Sequence, residues 1–204
     1  MRALLLLVGL AGAACGRNEA QGEPVGSVSP DDIAREQARF DAERRPEKVV
    51  EALGIGPGSR VADVGAGAGL LTVHLARAVA PNGKVVATDV DGAVLDLLKQ
   101  RLKLVHLDGV VEGRKVSADK PDLEPGAYDA ILLAEVDHYF SDAATWLRLA
   151  TPALKPGGRI VISNRIYHRA GAMAAAKKAG LVLQSESTPV PTHYIAVFVP
   201  GDKK

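Results

Sequence analysis

Three glycines at alternate positions, with an aspartate before them and a second one downstream, form the part of this 204-residue sequence best suited to chemistry. In VADVGAGAG at 61–69, Asp63 precedes Gly65, Ala66, Gly67 and Gly69. Glycine at such steps lets a backbone turn sharply and approach a ligand with no Cβ in the way. Asp89 closes the next apolar run, KVVATD at 84–89. A carboxylate there can accept hydrogen bonds from both hydroxyls of a ribose, so the pair predicts a nucleotide-like ligand. The dinucleotide fingerprint needs a further Gly at position 70, where Leu70 stands. A phosphate loop needs Gly-Lys-Ser/Thr after its glycines, which this sequence lacks there.

A second set of residues has acid–base potential. AEVDHYF at 134–140 brings Glu135, Asp137 and His138 together, and His168 and His193 follow later. Histidine is the usual general base near neutral pH. His138 is the first choice for that role, with Glu135 or Asp137 as an orienting or substrate-binding carboxylate. The three histidines lack the short local spacing of a metal site, so no metal is expected. His74 and His106 read as structural residues, and Trp146 as core.

Elements that would hold these residues in place alternate along the chain. Strands are expected at 60–64, 84–89, 128–134 and 158–163, with a weaker one over 110–118. Helical periodicity covers 69–80, 92–105 and 141–154, the second with Val94, Leu97, Leu98, Leu102 and Val105 on one face. Ahead of them, a helix starts after Ser29-Pro30 with Asp31 and Asp32 in its first turn, and Pro46 restarts a second. This alternation implies right-handed βαβ units and a parallel sheet covered on both faces. After an Ala-rich helix at 170–179, strands 181–187 and 193–199 are joined by five residues. Parallel strands need a longer crossover, so these two must be antiparallel. Ligands of open α/β sheets lie beyond the carboxyl ends of the strands, where Asp63, Asp89, His138, His168 and His193 all fall.

In order and spacing, D-x-G-x-G-x-G at 63–69, Asp89, Ser117-Ala118-Asp119 and LKPGGRIVIS at 154–163 resemble class I, Rossmann-like S-adenosylmethionine (SAM) methyltransferases. The resemblance covers about residues 46–199. It implies a three-layer αβα fold with a seven-stranded, mostly parallel sheet in the order 3-2-1-4-5-7-6. It also implies SAM as cofactor, with Asp63 and the loop Gly65, Ala66, Gly67 and Gly69 facing the methionine part. Asp89 would face the ribose and Asp119 the adenine amino group, with Val90 and Ala118 also among the cofactor-binding residues.

Composition narrows the acceptor. Lys plus Arg is 25 and Asp plus Glu is 24, so net charge offers no attraction to nucleic acid and a small-molecule substrate is expected. Aromatic residues are only 4%, leaving the core to Ala, Val, Leu and Ile.

The amino end carries a different signal. Met1-Arg2, the apolar run at 3–14 and then Cys15 resemble a bacterial lipoprotein signal over 1–15, with Gly12 where a larger aliphatic residue is preferred. Residues 16–30, polar and rich in Gly, Pro and Ser, read as a flexible tether ahead of one domain at 31–204. With ERRPEKVVEALGI at 43–55, the chain resembles small exported bacterial methyltransferase-like proteins. Lipidation at Cys15 would place it on the cell envelope, away from cytoplasmic SAM. The alternatives are therefore an exported chain without lipid, a cytoplasmic enzyme, or a non-catalytic, envelope-anchored binding module on the same fold.

Overall fold

The structure, a computed structural model, describes residues 29–201. The signal-like segment, Cys15 and the tether as far as 28 lie outside the described residues. The last two tether positions serve the first helix, one as its cap and one as its first residue. Pro30 opens α1 (Pro30–Arg44), and the Ser29 side chain accepts from the Asp32 N–H as its cap. Arg45, left-handed at φ 53°, turns the chain into α2 (Pro46–Leu53), which ends on left-handed Gly54.

The sheet strands are β1 (Arg60–Val64), β2 (Lys84–Asp89), β3 (Val111–Lys115), β4 (Tyr128–Ala134), β5 (Leu154–Arg165), β6 (Leu181–Val190) and β7 (His193–Pro200). Between them run α3 (Thr72–Val79), α4 (Gly92–Leu104), α5 (Ala143–Ala150) and α6 (Arg169–Lys178). Strand order is β3-β2-β1-β4-β5-β7-β6, and β7 runs antiparallel to both its neighbours. This is the expected methyltransferase fold.

Alternate residues of the buried strands feed two cores. Val61, Val85, Leu132 and Val161 pack with Leu53, Leu75 and Leu98 from α2, α3 and α4. Ala62, Ile131, Leu133 and Ile162 face Trp146, Leu147 and Ala176 from α5 and α6 on the other side. Trp146 is core, as expected, and stacks on Phe140 with ring centroids 4.6 Å apart.

Three expectations need correcting. The helix expected to reach 154 stops at Ala150, because Pro152 offers no N–H to continue it; a short turn follows and β5 begins at Leu154. The hairpin is tighter than expected, since β6 extends to Val190 and leaves Pro191 and Thr192 for the turn. On α4 the buried face is Leu95, Leu98, Arg101 and Leu102, rotated away from Val94 and Leu97. Arg101 causes the rotation. Its guanidinium, almost wholly buried, donates to the carbonyls of Ala68 (2.9 Å) and Ile33 (3.3 Å) and to Gln37 Oε1 (3.1 Å), and pairs with Glu36. One arginine thus ties α1 to the glycine loop. Among the described residues no helix is long and apolar enough to cross a membrane.

Candidate functional site

The glycine loop leaves the end of β1 and folds back on β2. The N–H groups of Gly65 and Ala66 both donate to the Thr88 carbonyl, at 2.8 and 3.0 Å. Gly65 has φ +68°, and a Cβ there would lie 2.5 Å from Val136 Cγ2, so only glycine fits. Gly67, at φ +54°, is different: an added Cβ would meet no atom within 4 Å and would project into open cleft.

The two aspartates sit against this loop in unlike surroundings. Asp89 accepts from Gly67 N–H at 2.9 Å and from Asp91 N–H at 3.0 Å, which sets the carboxylate's orientation at the end of β2. Asp63 is buried beneath the loop. Burial pushes its carboxyl up to about 6; the Thr72 hydroxyl, donating at 2.6 Å, opposes the shift, and the nearby Asp89 charge adds to it.

Two clefts open at this edge. One, of about 280 Å³, is lined by Thr88, Asp89, Val90, Ala118, Tyr139 and Phe140 among others. The second, of about 290 Å³, lies between Asp63, Ala66 and Gly67 of the loop and Phe40, Arg44 and Glu135 opposite. Gly65 and Glu135 line both, so the clefts meet over the carboxyl ends of β1 and β4. In the first cleft Thr88 Oγ1 is buried without a protein partner. Apolar walls, a carboxylate at the strand end, an orphaned hydroxyl and a Cβ-free floor fit an adenosine-bearing ligand whose tail lies in the second cleft.

Of the expected cofactor residues, Asp63, Gly65, Ala66, Gly67, Asp89, Val90 and Ala118 line one cleft or the other. Gly69 supports from outside, its left-handed turn lying close beneath Leu98. Asp119 faces elsewhere. Its two oxygens accept from Ser141 N–H (2.9 Å) and Ser141 Oγ (2.8 Å), joining the loops after β3 and β4, which holds its carboxyl below the usual range.

The acid–base residues divide into two groups rather than one. Glu135 follows β4 in the left-handed conformation, φ 53°, with its N–H on the Ser163 carbonyl. Its Oε1 accepts from Arg44 Nη1 and from His193 Nε2 (2.7 Å). Burial pushes the Glu135 carboxyl up, but Arg44 and His193 outweigh it and hold the group below its ordinary value. Glu135 therefore orients His193, which lies 58 residues away, and not His138.

His138 is held by Asn164. The Asn164 Oδ1 accepts from Arg165 N–H at 2.7 Å, so its Nδ2 donates to Asp137 Oδ1 (2.6 Å) and to His138 Nδ1 (3.0 Å). With Nδ1 accepting, neutral His138 carries its proton on Nε2 and presents a donor outward. That tautomer is the wrong one for a general base. Burial, and the neighbouring His168, also push its pKa down. The ring stacks on His168 at 3.9 Å, with Tyr139 and Tyr167 at either end of the row, each about three-quarters exposed.

The sequence places Phe40 on the inward face of the first helix but not in this cleft, and Arg44 and Thr88 escape it: Arg44 reads only as a basic residue in the last turn of α1.

Known proteins resemble this chain in sequence and in fold. Residues 62–160 match the family described as a methyltransferase domain. Over 113 residues the chain is 31% identical to the ubiquinone/menaquinone biosynthesis C-methyltransferase of Pseudomonas fluorescens. That match takes in 55% of this chain and 44% of the relative, so the chain spans less than half the length of the curated relatives it matches. Among solved structures it resembles a SAM-dependent methyltransferase from Aquifex aeolicus, with TM-score 0.72 and 22% identity over 84% of this chain and 98% of that one. It also resembles the geranyl diphosphate C-methyltransferase of Streptomyces coelicolor, solved with S-adenosylhomocysteine: TM-score 0.65, 18% identity, 87% and 85% coverage. A methyltransferase domain is thus matched in sequence across 62–160, and its fold extends through most of the described chain.

Proposed function

We propose that this chain is a class I, SAM-dependent methyltransferase acting on a small-molecule acceptor. The observation that carries the proposal is the pair of clefts joined at Gly65 and Glu135, one with the Asp89 carboxylate and the other floored by the loop over Asp63. The matched domain and the fold support it.

When bound, SAM supplies an electrophilic methyl group, which an acceptor takes by in-line displacement. The chain's own contribution is placement. Asp89 would accept from the ribose hydroxyls, Val90 and Ala118 line the cleft that would take the adenosine, and Gly67 would leave room for the tail. Alignment of this kind contributes about 7–11 kcal/mol to lowering a bimolecular barrier. At the junction, Glu135 would receive a hydrogen bond from an acceptor N–H or O–H, while His138 lies outside the lining of both clefts, in the aromatic row with Tyr139 and His168. Glu135, held ionised by Arg44 and His193, acts as a hydrogen-bond acceptor and orienting group. Tyr139 lines the first cleft and also ends the exposed aromatic row, so the row extends the acceptor side.

Calorimetry with SAM, S-adenosylhomocysteine and NAD tests the reading on the purified protein. Micromolar binding of the first two, lost at least tenfold in Asp89→Ala and absent for NAD, is expected. No heat with SAM at millimolar concentration overturns it.

Placement on the envelope is a separate proposal, supported by the apolar run at 3–14 and Cys15. Incorporation of labelled fatty acid in cells, lost in Cys15→Ser, is its expected signature. Incorporation that survives the substitution, or none at all, refutes lipidation at Cys15.

A further inference from the structure

Arg44 stands outside the matched segment, and its environment is unusual for an arginine at the end of a surface helix. Its side chain is only 21% exposed. Nη1 donates to Glu135, while Nε is buried with no partner in the protein. The guanidinium carbon lies 5.6 Å from the centre of the Phe40 ring, one turn earlier on α1. Arg44 and Phe40 both line the second cleft, opposite Asp63 and the glycine loop.

Arg44 does not have the Glu135 carboxylate to itself: outside the cleft lining, Arg165 lies 3.9 Å from Oε2 and His193 Nε2 lies 2.7 Å from Oε1. Asp63, on the other wall, carries a carboxyl that burial has pushed up to about 6. The cleft therefore has a cation with an unused donor on one side and an acid in need of a cation on the other. A ligand tail with an anion toward α1 and a cation toward β1 satisfies both. An α-amino acid end is such a group.

We infer that Arg44 is a cofactor-binding residue, whose guanidinium takes the α-carboxylate at the amino-acid end of SAM. The assignment rests on the reading of the clefts as a SAM site and names a contact that the motifs leave blank. A charge-assisted hydrogen bond from Nε to a carboxylate is among the stronger polar contacts available, and it satisfies a buried donor that is otherwise orphaned. It also accounts for α1 lying across the edge of the sheet: the helix delivers one wall of the cofactor site, and Arg101 holds that wall to the glycine loop.

The test compares SAM with decarboxylated SAM, which keeps the adenosine, sulfonium and amine and lacks only the carboxylate. The wild-type protein is expected to prefer SAM at least tenfold by calorimetry. Arg44→Ala should weaken SAM at least tenfold and decarboxylated SAM less than twofold, so that the preference disappears. Arg44→Lys should restore part of it. Equal losses on both ligands, or no loss on either, overturn the assignment. If Arg44→Ala does not fold, the wild-type preference decides alone: less than twofold overturns it. Failure of the wild type to bind either ligand refutes the SAM reading itself, an outcome distinct from loss of the Arg44 contact.

Discussion

Asp63 offers a quantitative check on the site through the pH dependence of folding. The residue is 2% exposed, and burial raises its carboxyl from an ordinary 3.8 to about 6 in the folded protein. The folded state therefore holds a proton that the unfolded chain has already released between those values. Stability contributed by this group is fully present below 3.8 and is lost as pH rises through 6. A rise of this size corresponds to about 3 kcal/mol of penalty for the ionised form once pH exceeds both values. Asp63→Asn removes the titration and keeps an oxygen able to accept from Thr72. The new amide brings its own cost or gain, but that part does not change with pH. The informative quantity is the stability of the variant minus that of wild type, measured at two pH values.

By pH 5 a little over half of the ionisation penalty has been incurred in the wild-type protein, and by pH 8 all of it. The variant's advantage should therefore grow by about 1.4 kcal/mol between pH 5 and pH 8. Urea unfolding curves of both proteins at each pH, with matched slopes, measure it. A difference that stays flat, or shrinks as pH rises, refutes the argument that Asp63 is a buried carboxyl resisting ionisation. The same reasoning requires SAM binding by the wild type to tighten as pH rises through 6, because a cationic ligand favours the ionised carboxylate.

Glu135 gives the opposite sign. Its folded value is held below 4.5, so its contribution is present above that value and is lost as pH falls through the folded one. Glu135→Gln should cost about 1–2 kcal/mol at pH 7 and clearly less at pH 4, read from the same unfolding curves. Gly65→Ala should cost about 1–3 kcal/mol, because the added methyl meets Val136 Cγ2 at 2.5 Å in a left-handed backbone. Val136→Ala in the same chain should return part of that loss, as thermal melting would show; a double variant no more stable than Gly65→Ala argues that backbone strain alone is responsible.

Strands β1, β2 and β4 fall on the expected residues, and the reason is local. Each is a short apolar run, bounded by turn residues, that must be buried on both faces. The glycine loop is legible on the same ground, since Gly65 answers to a steric demand that any side chain would violate. Glu135, His193 and Arg44 are another matter. Glu135 is separated from His193 by 58 residues and from Arg44 by 91; it follows β4 while the others sit on β7 and α1, so their meeting depends on the strand order and on where α1 lies. No local spacing encodes that. His138 was visible as a residue at the right edge, but its role depends on which ring nitrogen Asn164 engages, a property of β5 and not of the AEVDHYF motif. Arg101 was hidden for a related reason: an arginine on a helix pattern reads as solvent-facing until a second helix brings carbonyls for it to bind. Residues that answer to their own neighbours in sequence can be read one segment at a time. Those that hold the acceptor side together answer to each other across the fold, so substitutions at Arg44, Glu135 and His193 should be coupled. A double-mutant cycle between Arg44→Ala and His193→Ala, which share Glu135 Oε1, should depart from additivity.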